Sequence, residues 1–226
     1  MDRPAAPRQG PGLSGRKAEA ARNDRAILDA ARVVFIRDPT APISAVADEA
    51  GVGVGALYRR YAGKEELLRT LCADGLRRFI AIAEHALSDE VAAAESFAVF
   101  LGAIIDADVH SLTVRLAGTF APTGDLRALA GQANALAERV FRRARHAGAL
   151  RGDLKVNDIA MLFEQITAVR VDDPERTAAL RRRYVALLLD ALRPAAVTGR
   201  LPGPPPTSDE LGVRWRPAAA EGAGRS

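Results

Sequence analysis

The sequence predicts an all-α protein of about nine helices, a short N-terminal three-helix domain followed by a larger helical one. Three observations predict it. Apolar residues recur at three- and four-residue spacing almost throughout residues 17–192, which is the period of a half-buried helix. No stretch alternates apolar and polar residues as a strand would, and no internal repeat is present. Hydrophobic residues make up 48% of the chain but aromatics only 5%, with Ala and Leu abundant, a balance that favours helix packed on helix over a β-sandwich.

The elements follow in order. Residues 1–15 mix Pro, Gly, Arg and Ala without periodicity and read as a disordered arm. Ile27, Ala30, Ala31, Val34 and Phe35 form one face of a first helix over 17–37, which Asp38-Pro39 ends because a residue before proline disfavours the α region. Pro42 suits the first turn of a second helix, where its missing N–H costs nothing. That helix buries Ile43, Val46, Ala47 and Ala50, and Gly51 closes it with an expected left-handed cap. A third segment spans 54–61. A long helix follows over 64–87, with Leu67, Leu68, Leu71, Leu76, Phe79, Ile80 and Leu87 on its buried side. The later helices are placed at 91–109, 110–118, 124–147, 156–171 and 174–192, with Gly148 as a stop and Asp153 as an N-cap candidate. Residues 194–226, with Pro202-Gly203-Pro204-Pro205-Pro206 and an isolated Trp215, read as a flexible tail. The expected domains are thus 16–67 and 68–193.

Composition narrows the function classes. The 226 residues carry 32 Lys+Arg and 28 Asp+Glu, a net charge of +4. Residues 1–70 hold twelve basic and nine acidic residues, a mild push towards nucleic acid. The lone Cys72 excludes an intramolecular disulfide framework and a multi-Cys zinc site, and fits a reducing cytoplasm. No apolar run reaches the ~18 residues of a membrane span, and Met1-Asp2-Arg3-Pro4 does not start a signal peptide. The expectation is a cytoplasmic protein.

Residues 42–64 carry the functional signal. They read as a short helix, a tight glycine turn and a second short helix, the form of a helix-turn-helix with its motif at 42–61. Ile43, Val46, Ala47, Val52, Leu57 and Tyr61 are expected to pack inward. The second helix then exposes Gly53, Val54, Gly55, Ala56, Arg59 and Arg60. Small residues at its start let the backbone approach a groove, and its free N–H groups favour phosphate. Two adjacent arginines can pair bidentately with guanine or hold phosphates, and no Asn or Gln is present to read adenine. Tyr58 and Lys64 offer a hydroxyl and an ammonium to the DNA backbone on either side. A cation at a helix N-terminus is unfavourable unless an anion is near, which supports that reading of Lys64. Against it stands the plain alternative that Arg59 and Arg60 make a solvated face and Lys64 begins an exposed helix.

Ala47-Asp48-Glu49-Ala50-Gly51-Val52-Gly53, Gly55-Ala56-Leu57-Tyr58-Arg59-Arg60-Tyr61 and Lys64-Glu65-Glu66-Leu67-Leu68 closely resemble the DNA-binding domain of TetR-family transcriptional regulators. The resemblance is specific over residues 20–70. Ala147-Gly148-Ala149-Leu150-Arg151-Gly152-Asp153-Leu154 looks like the junction before the last two helices of such proteins. The resemblance implies a homodimeric regulator, usually a repressor, that binds a palindromic double-stranded operator and is released by a small-molecule effector. Many relatives have Ser or Thr at the start of the second helix, where this chain has Ala41-Pro42, with Thr40 upstream and Ser44 inside. Ser44 joins the DNA-facing residues on this basis.

Other constellations are weaker. Gly51, Gly53 and Ala56 satisfy a loose dinucleotide pattern, but the preceding stretch is helical where that fingerprint needs a strand. His85, His110 and His146 lack metal-ligand spacing, so no metal or cofactor is expected. Asp106, Asp108, His110 and Arg115 cluster in an otherwise apolar region. They form either a charge network between helices or the polar end of an effector pocket. Glu164, Gln165 and Arg170 face that pocket or a dimer partner. Ala160, Phe163, Ile166, Ala168, Val169, Leu180, Leu187 and Leu188 give the last two helices more apolar surface than one intramolecular face needs, which predicts dimerisation there. No nucleophile elbow or phosphate loop supports catalysis. A second reading stays open, an all-α small-molecule-binding protein or enzyme without a DNA-binding role.

Overall fold

A computed structural model describes residues 13–109, 112, 116 and 119–212, with side chains described from residue 22 to 211. The described residues form nine α-helices and one 3-10 turn, and no strand occurs among them. The helices are α1 (Leu13–Arg37), α2 (Ile43–Ala50), α3 (Val54–Arg60), α4 (Lys64–Ala86), α5 (Ser96–Asp106), α6 (Gly124–His146), α7 (Val156–Ala168), α8 (Pro174–Ala191) and α9 (Ser208–Gly212). The chain divides into two compact units, Met1–Leu67 and Leu68–Ser226.

In the first unit α1 packs on α2, and α2 on α3. The apolar face read from the sequence of α1 is the face that is buried: Ile27, Ala30, Ala31, Val34 and Phe35. Ile43, Val46 and Ala47 of α2, Leu57 of α3 and Tyr61 are buried too, while Val52 is only half-buried.

In the second unit one core gathers Phe97, Phe100, Leu101 and Ile104 of α5, Val140 and Phe141 of α6, Phe163 of α7 and Val185 of α8. The Phe100 ring meets Phe79 of α4 at 5.3 Å and Phe163 at 6.3 Å, both edge to face, the favoured aromatic geometry. Pro174 takes the first turn of α8, and the Asp173 carboxylate accepts from the Glu175 N–H at 2.9 Å as its N-cap.

Three expected boundaries shift. The helix expected over 91–109 begins only at Ser96, because residues 88–95 form turns and the Val91 carbonyl accepts from the Arg143 guanidinium at 2.7 Å. That guanidinium also binds the carbonyls of Leu87 and Ser88, so it closes the C-terminal end of α4 from the side of α6. The helix expected over 156–171 ends at Ala168, since Arg181 of α8 takes the carbonyls of Thr167 and Val169 at 2.7 and 3.0 Å. Lys155, not Asp153, occupies the N-cap of α7, where its N–H donates to Asp158 at 2.8 Å. The helix expected over 110–118 lies mostly outside the described residues, and so does Trp215.

The segment after α8 is not a free tail as far as residue 212. The Arg151–Asp153 pair, bonded at 2.7 Å, reaches it twice: Arg151 donates to the Gly199 carbonyl at 2.9 Å, and Asp153 accepts from the Leu201 N–H at 2.9 Å. Asn157 donates to the Pro206 carbonyl at 2.8 Å, and α9 packs on α7. Proline rigidity lowers the entropy lost on docking, so a few polar anchors suffice where periodicity predicts no packing.

Candidate nucleic-acid interface

The connection into α2 is fixed by local polar contacts. The Asp38 carboxylate accepts from the Thr40 N–H at 2.8 Å and from its hydroxyl at 2.6 Å. Those two bonds hold the Asp38 carboxyl below its ordinary range. Ala41 is buried, and Pro42 precedes α2 in an extended conformation. The Thr40 hydroxyl, the nearest upstream to the helix start, is therefore spent on Asp38, while Ser44 sits half-buried inside α2.

At the other end of α2 the chain turns through Gly51 at φ 66° and ψ 29°. The Gly51 N–H donates to the Asp48 carbonyl and the Val52 N–H to the Ala47 carbonyl, the paired bonds of a Schellman cap. Only glycine enters that left-handed region without cost, so the turn the sequence signals is the turn that forms. Gly53, in contrast, has φ −67° and serves as the N-cap of α3.

Helix α3 has two faces. Leu57 is fully buried, and Tyr61 just beyond the helix is 2% exposed, which ties the helix inward. Gly53, Val54, Gly55, Tyr58, Arg59 and Arg60 are exposed, with Tyr58 at 53%, and Ala56 is half-buried. A Cβ placed on Gly55 would lie 3.6 Å from the Arg59 guanidinium, so that side chain lies back along the helix towards its N-terminus. Among the described residues Arg59 has no ion-pair partner.

Arg60 differs from its neighbour. Its Nε and terminal nitrogen donate to the two Asp24 carboxylate oxygens at 2.8 and 2.9 Å, and its guanidinium stands 5.3 Å from the centre of the Tyr61 ring. The hydrogen bonds that Arg60 donates to Asp24, and then the charge of that carboxylate, raise the Arg60 pKa further above neutrality. Both arginines are exposed, and the guanidinium of Arg60 is held by a carboxylate that α1 brings to it from 36 residues away in sequence.

Lys64 has partners within the domain as well. Its ammonium donates to the Ala41 carbonyl at 2.7 Å and sits 5.3 Å from the centre of the Phe35 ring. A carbonyl and an aromatic face offset the unfavourable placement at the start of α4 without any phosphate. Glu66, three residues into the same turn, accepts from the Ala62 N–H at 2.6 Å and completes the cap.

Two of the polar residues read as a candidate effector site are held in separate ion pairs. Asp106 pairs with the exposed Arg182 at 2.7 Å on the surface, while Asp108 pairs with the buried Arg181 at 2.8 Å. These contacts match the charge-network reading. Glu164 is half-buried and Arg170 exposed, and His110 and Arg115 lie outside the described residues. The cleft of about 360 Å³ lies elsewhere, lined by Phe141, Arg142, Lys155, Val156, Pro205 and Pro206 among others. Arg181, which joins the ends of α5 and α7 through α8, was missed in the sequence. One arginine of the run Arg181-Arg182-Arg183 carries no signal of burial until its acceptors are known.

Comparison with known proteins agrees with this geometry. Residues 27–71 match the family model described as bacterial regulatory proteins, tetR family. No curated protein matches the chain. Among solved structures, the TetR transcriptional regulator SCO0520 from Streptomyces coelicolor is 28% identical, covering 76% of this chain and 99% of that one, with a TM-score of 0.55. The TetR transcription regulatory protein from Mycobacterium vanbaalenii is 26% identical over 78% of this chain and 98% of its own, with a TM-score of 0.51. LfrR from Mycobacterium smegmatis, a TetR-like transcriptional regulator solved with proflavine, is 20% identical over 81% and 99%, with a TM-score of 0.56.

Proposed function

The chain carries the DNA-binding domain of the TetR family of bacterial regulatory proteins, and from that premise we propose that it is a homodimeric, effector-released repressor of a palindromic operator. The single observation that supports the DNA reading most directly is α3 itself, anchored inward by Leu57 and Tyr61 while Arg59 and Tyr58 face outward. Arg59 is the arginine of this helix left to pair bidentately with a guanine, and Tyr58 the hydroxyl for the phosphate backbone. Val54 and Gly55 keep the same face low enough for a groove. Lys64 and Arg60 hold the domain together and are not base readers.

A palindromic operator needs two such helices about 34–36 Å apart, hence two copies of the chain. Helices α7 and α8 supply the surface for that. Met161, Tyr184 and Leu187 are exposed on them, Leu187 at 56%, and beside these Leu162, Val169 and Leu188 line a depression of about 260 Å³. A self-complementary apolar patch of this kind closes a two-fold dimer. Release by a small molecule is proposed because LfrR is a relative seen with proflavine. Such a ligand acts only if it favours the geometry that does not fit DNA.

The test begins with selection of duplexes from a random library by the purified chain. Arg59→Ala should cost ~1–3 kcal/mol on the selected duplex and relax preference at one base pair of each half-site. Leu187→Glu should turn the dimer into monomer in sedimentation and remove operator binding with helicity kept. Wild-type protein that selects no duplex overturns the DNA reading, and monomeric wild-type protein at micromolar concentration overturns the dimer.

A further inference from the structure

Arg59 and Arg60 are the same residue type, adjacent and both exposed, yet among the described residues only Arg60 has an ion-pair partner. We propose that Asp24 is a specificity-determining residue: its carboxylate holds the Arg60 guanidinium against the end of the recognition helix and withholds that charge from DNA phosphate. The proposal rests on the reading of α3 as the DNA-facing helix.

The geometry is that of a fork meeting a fork. Both carboxylate oxygens are used, at 2.8 and 2.9 Å, and the Tyr61 ring offers a face 5.3 Å away. Tyr61 is 2% exposed, so it is a fixed platform, and Asp24 belongs to α1, which is packed on α2. The guanidinium is thus oriented both by α1 and by the buried residue that ends α3. Bidentate pairing adds directionality that a single contact lacks. The Arg60 side chain remains 54% exposed and Asp24 33%, so the pair lies at the surface and removal of the carboxylate returns an accessible cation there.

That cation would change DNA binding in a defined way. A phosphate contact strengthens operator and random DNA alike, because it carries no sequence information. Base contacts by Arg59 strengthen the operator alone. An Arg60 freed from Asp24 therefore lowers the ratio of specific to non-specific affinity even where it raises both.

The experiment uses the full chain with Asp24→Asn, Arg60→Gln and the double variant, all checked by thermal melts. Binding is measured by fluorescence anisotropy from 50 to 200 mM salt, on the duplex that the wild type selects and on a scrambled duplex. For Asp24→Asn the expected result is a salt slope steeper by ~0.9 and scrambled-DNA affinity about 3-fold higher at the low-salt end, with a reduced operator preference. Arg60→Gln should leave the wild-type slope unchanged, and the double variant should return to it. A shallower slope for Arg60→Gln would show that Arg60 leaves Asp24 for phosphate, and overturns the proposal. Two other outcomes also overturn it: an Asp24→Asn variant with wild-type slope and preference, and a double variant that keeps the gain, which assigns it to the lost acidic charge alone. Each of these is read on wild-type protein that does select DNA, whereas absence of any wild-type binding removes the DNA reading itself.

Discussion

Replacing Arg181 is the sharpest test of how the second unit is held. Its side chain is 5% exposed and donates three hydrogen bonds, to the Thr167 carbonyl at 2.7 Å, the Val169 carbonyl at 3.0 Å and the Asp108 carboxylate at 2.8 Å. Arg181→Met keeps much of the apolar stem and removes all three donors. A buried carbonyl left without a donor costs about 1–3 kcal/mol, and Thr167 is itself buried whereas Val169 is only half so. Asp108 is 31% exposed, so water takes over much of its solvation and its loss adds little. The sum is about 3 kcal/mol, at the low end of the cost of breaking a buried ion pair from one side. Arg181→Lys should recover only part of it, since one ammonium cannot reproduce a fork aimed at three acceptors. Asp108→Asn should cost less than about 1 kcal/mol, as expected for the exposed side of the pair. Denaturant unfolding followed by far-UV circular dichroism, at fixed protein concentration, gives the three numbers. A loss below about 1 kcal/mol for Arg181→Met would refute the reasoning, as would an Asp108→Asn variant as unstable as Arg181→Met.

Three further outcomes are expected. Gly51→Ala should destabilise the first unit by about 1–2 kcal/mol through its left-handed backbone alone, since no atom lies within 4 Å of the added Cβ, while Gly53→Ala at φ −67° should be near neutral; hydrogen exchange of α2 and α3 amides would show the contrast. Burial pushes the Cys72 thiol up from 9.0 to about 12, so the stability it contributes is complete below pH 9 and is lost as pH rises towards 12; wild type should lose stability over that window faster than Cys72→Val, and folded protein should resist thiol reagents at pH 8. Asp153→Ala should release residues 199–201 and increase tryptic cutting at Arg200, and strong acid should release the same segment, read by hydrogen exchange, because the Arg151 guanidinium and the Leu201 N–H hold the Asp153 carboxyl well below the carboxylate range.

The sequence by itself determined what depends on neighbours along the chain. Helical periodicity identified the buried faces of α1 and α2, because a 3.6-residue period aligns Ile27, Ala31, Val34 and Phe35 wherever the helix docks. Gly51 announced the turn, since a left-handed cap is a local backbone requirement, and Leu57 and Tyr61 announced the inward side of α3. The tertiary structure alone decided which cations are free. Arg59 and Arg60 look equivalent in sequence, but a carboxylate 36 residues upstream claims one of them. Lys64 meets the Ala41 carbonyl across 23 residues, and Arg181 meets Asp108 across 73. Pairings of that kind have no period and no spacing rule. They follow from how helices stack, and so does the docking of residues 199–206, whose anchors Arg151, Asp153 and Asn157 become acceptors and donors for it only once α6, α7 and α8 are in place.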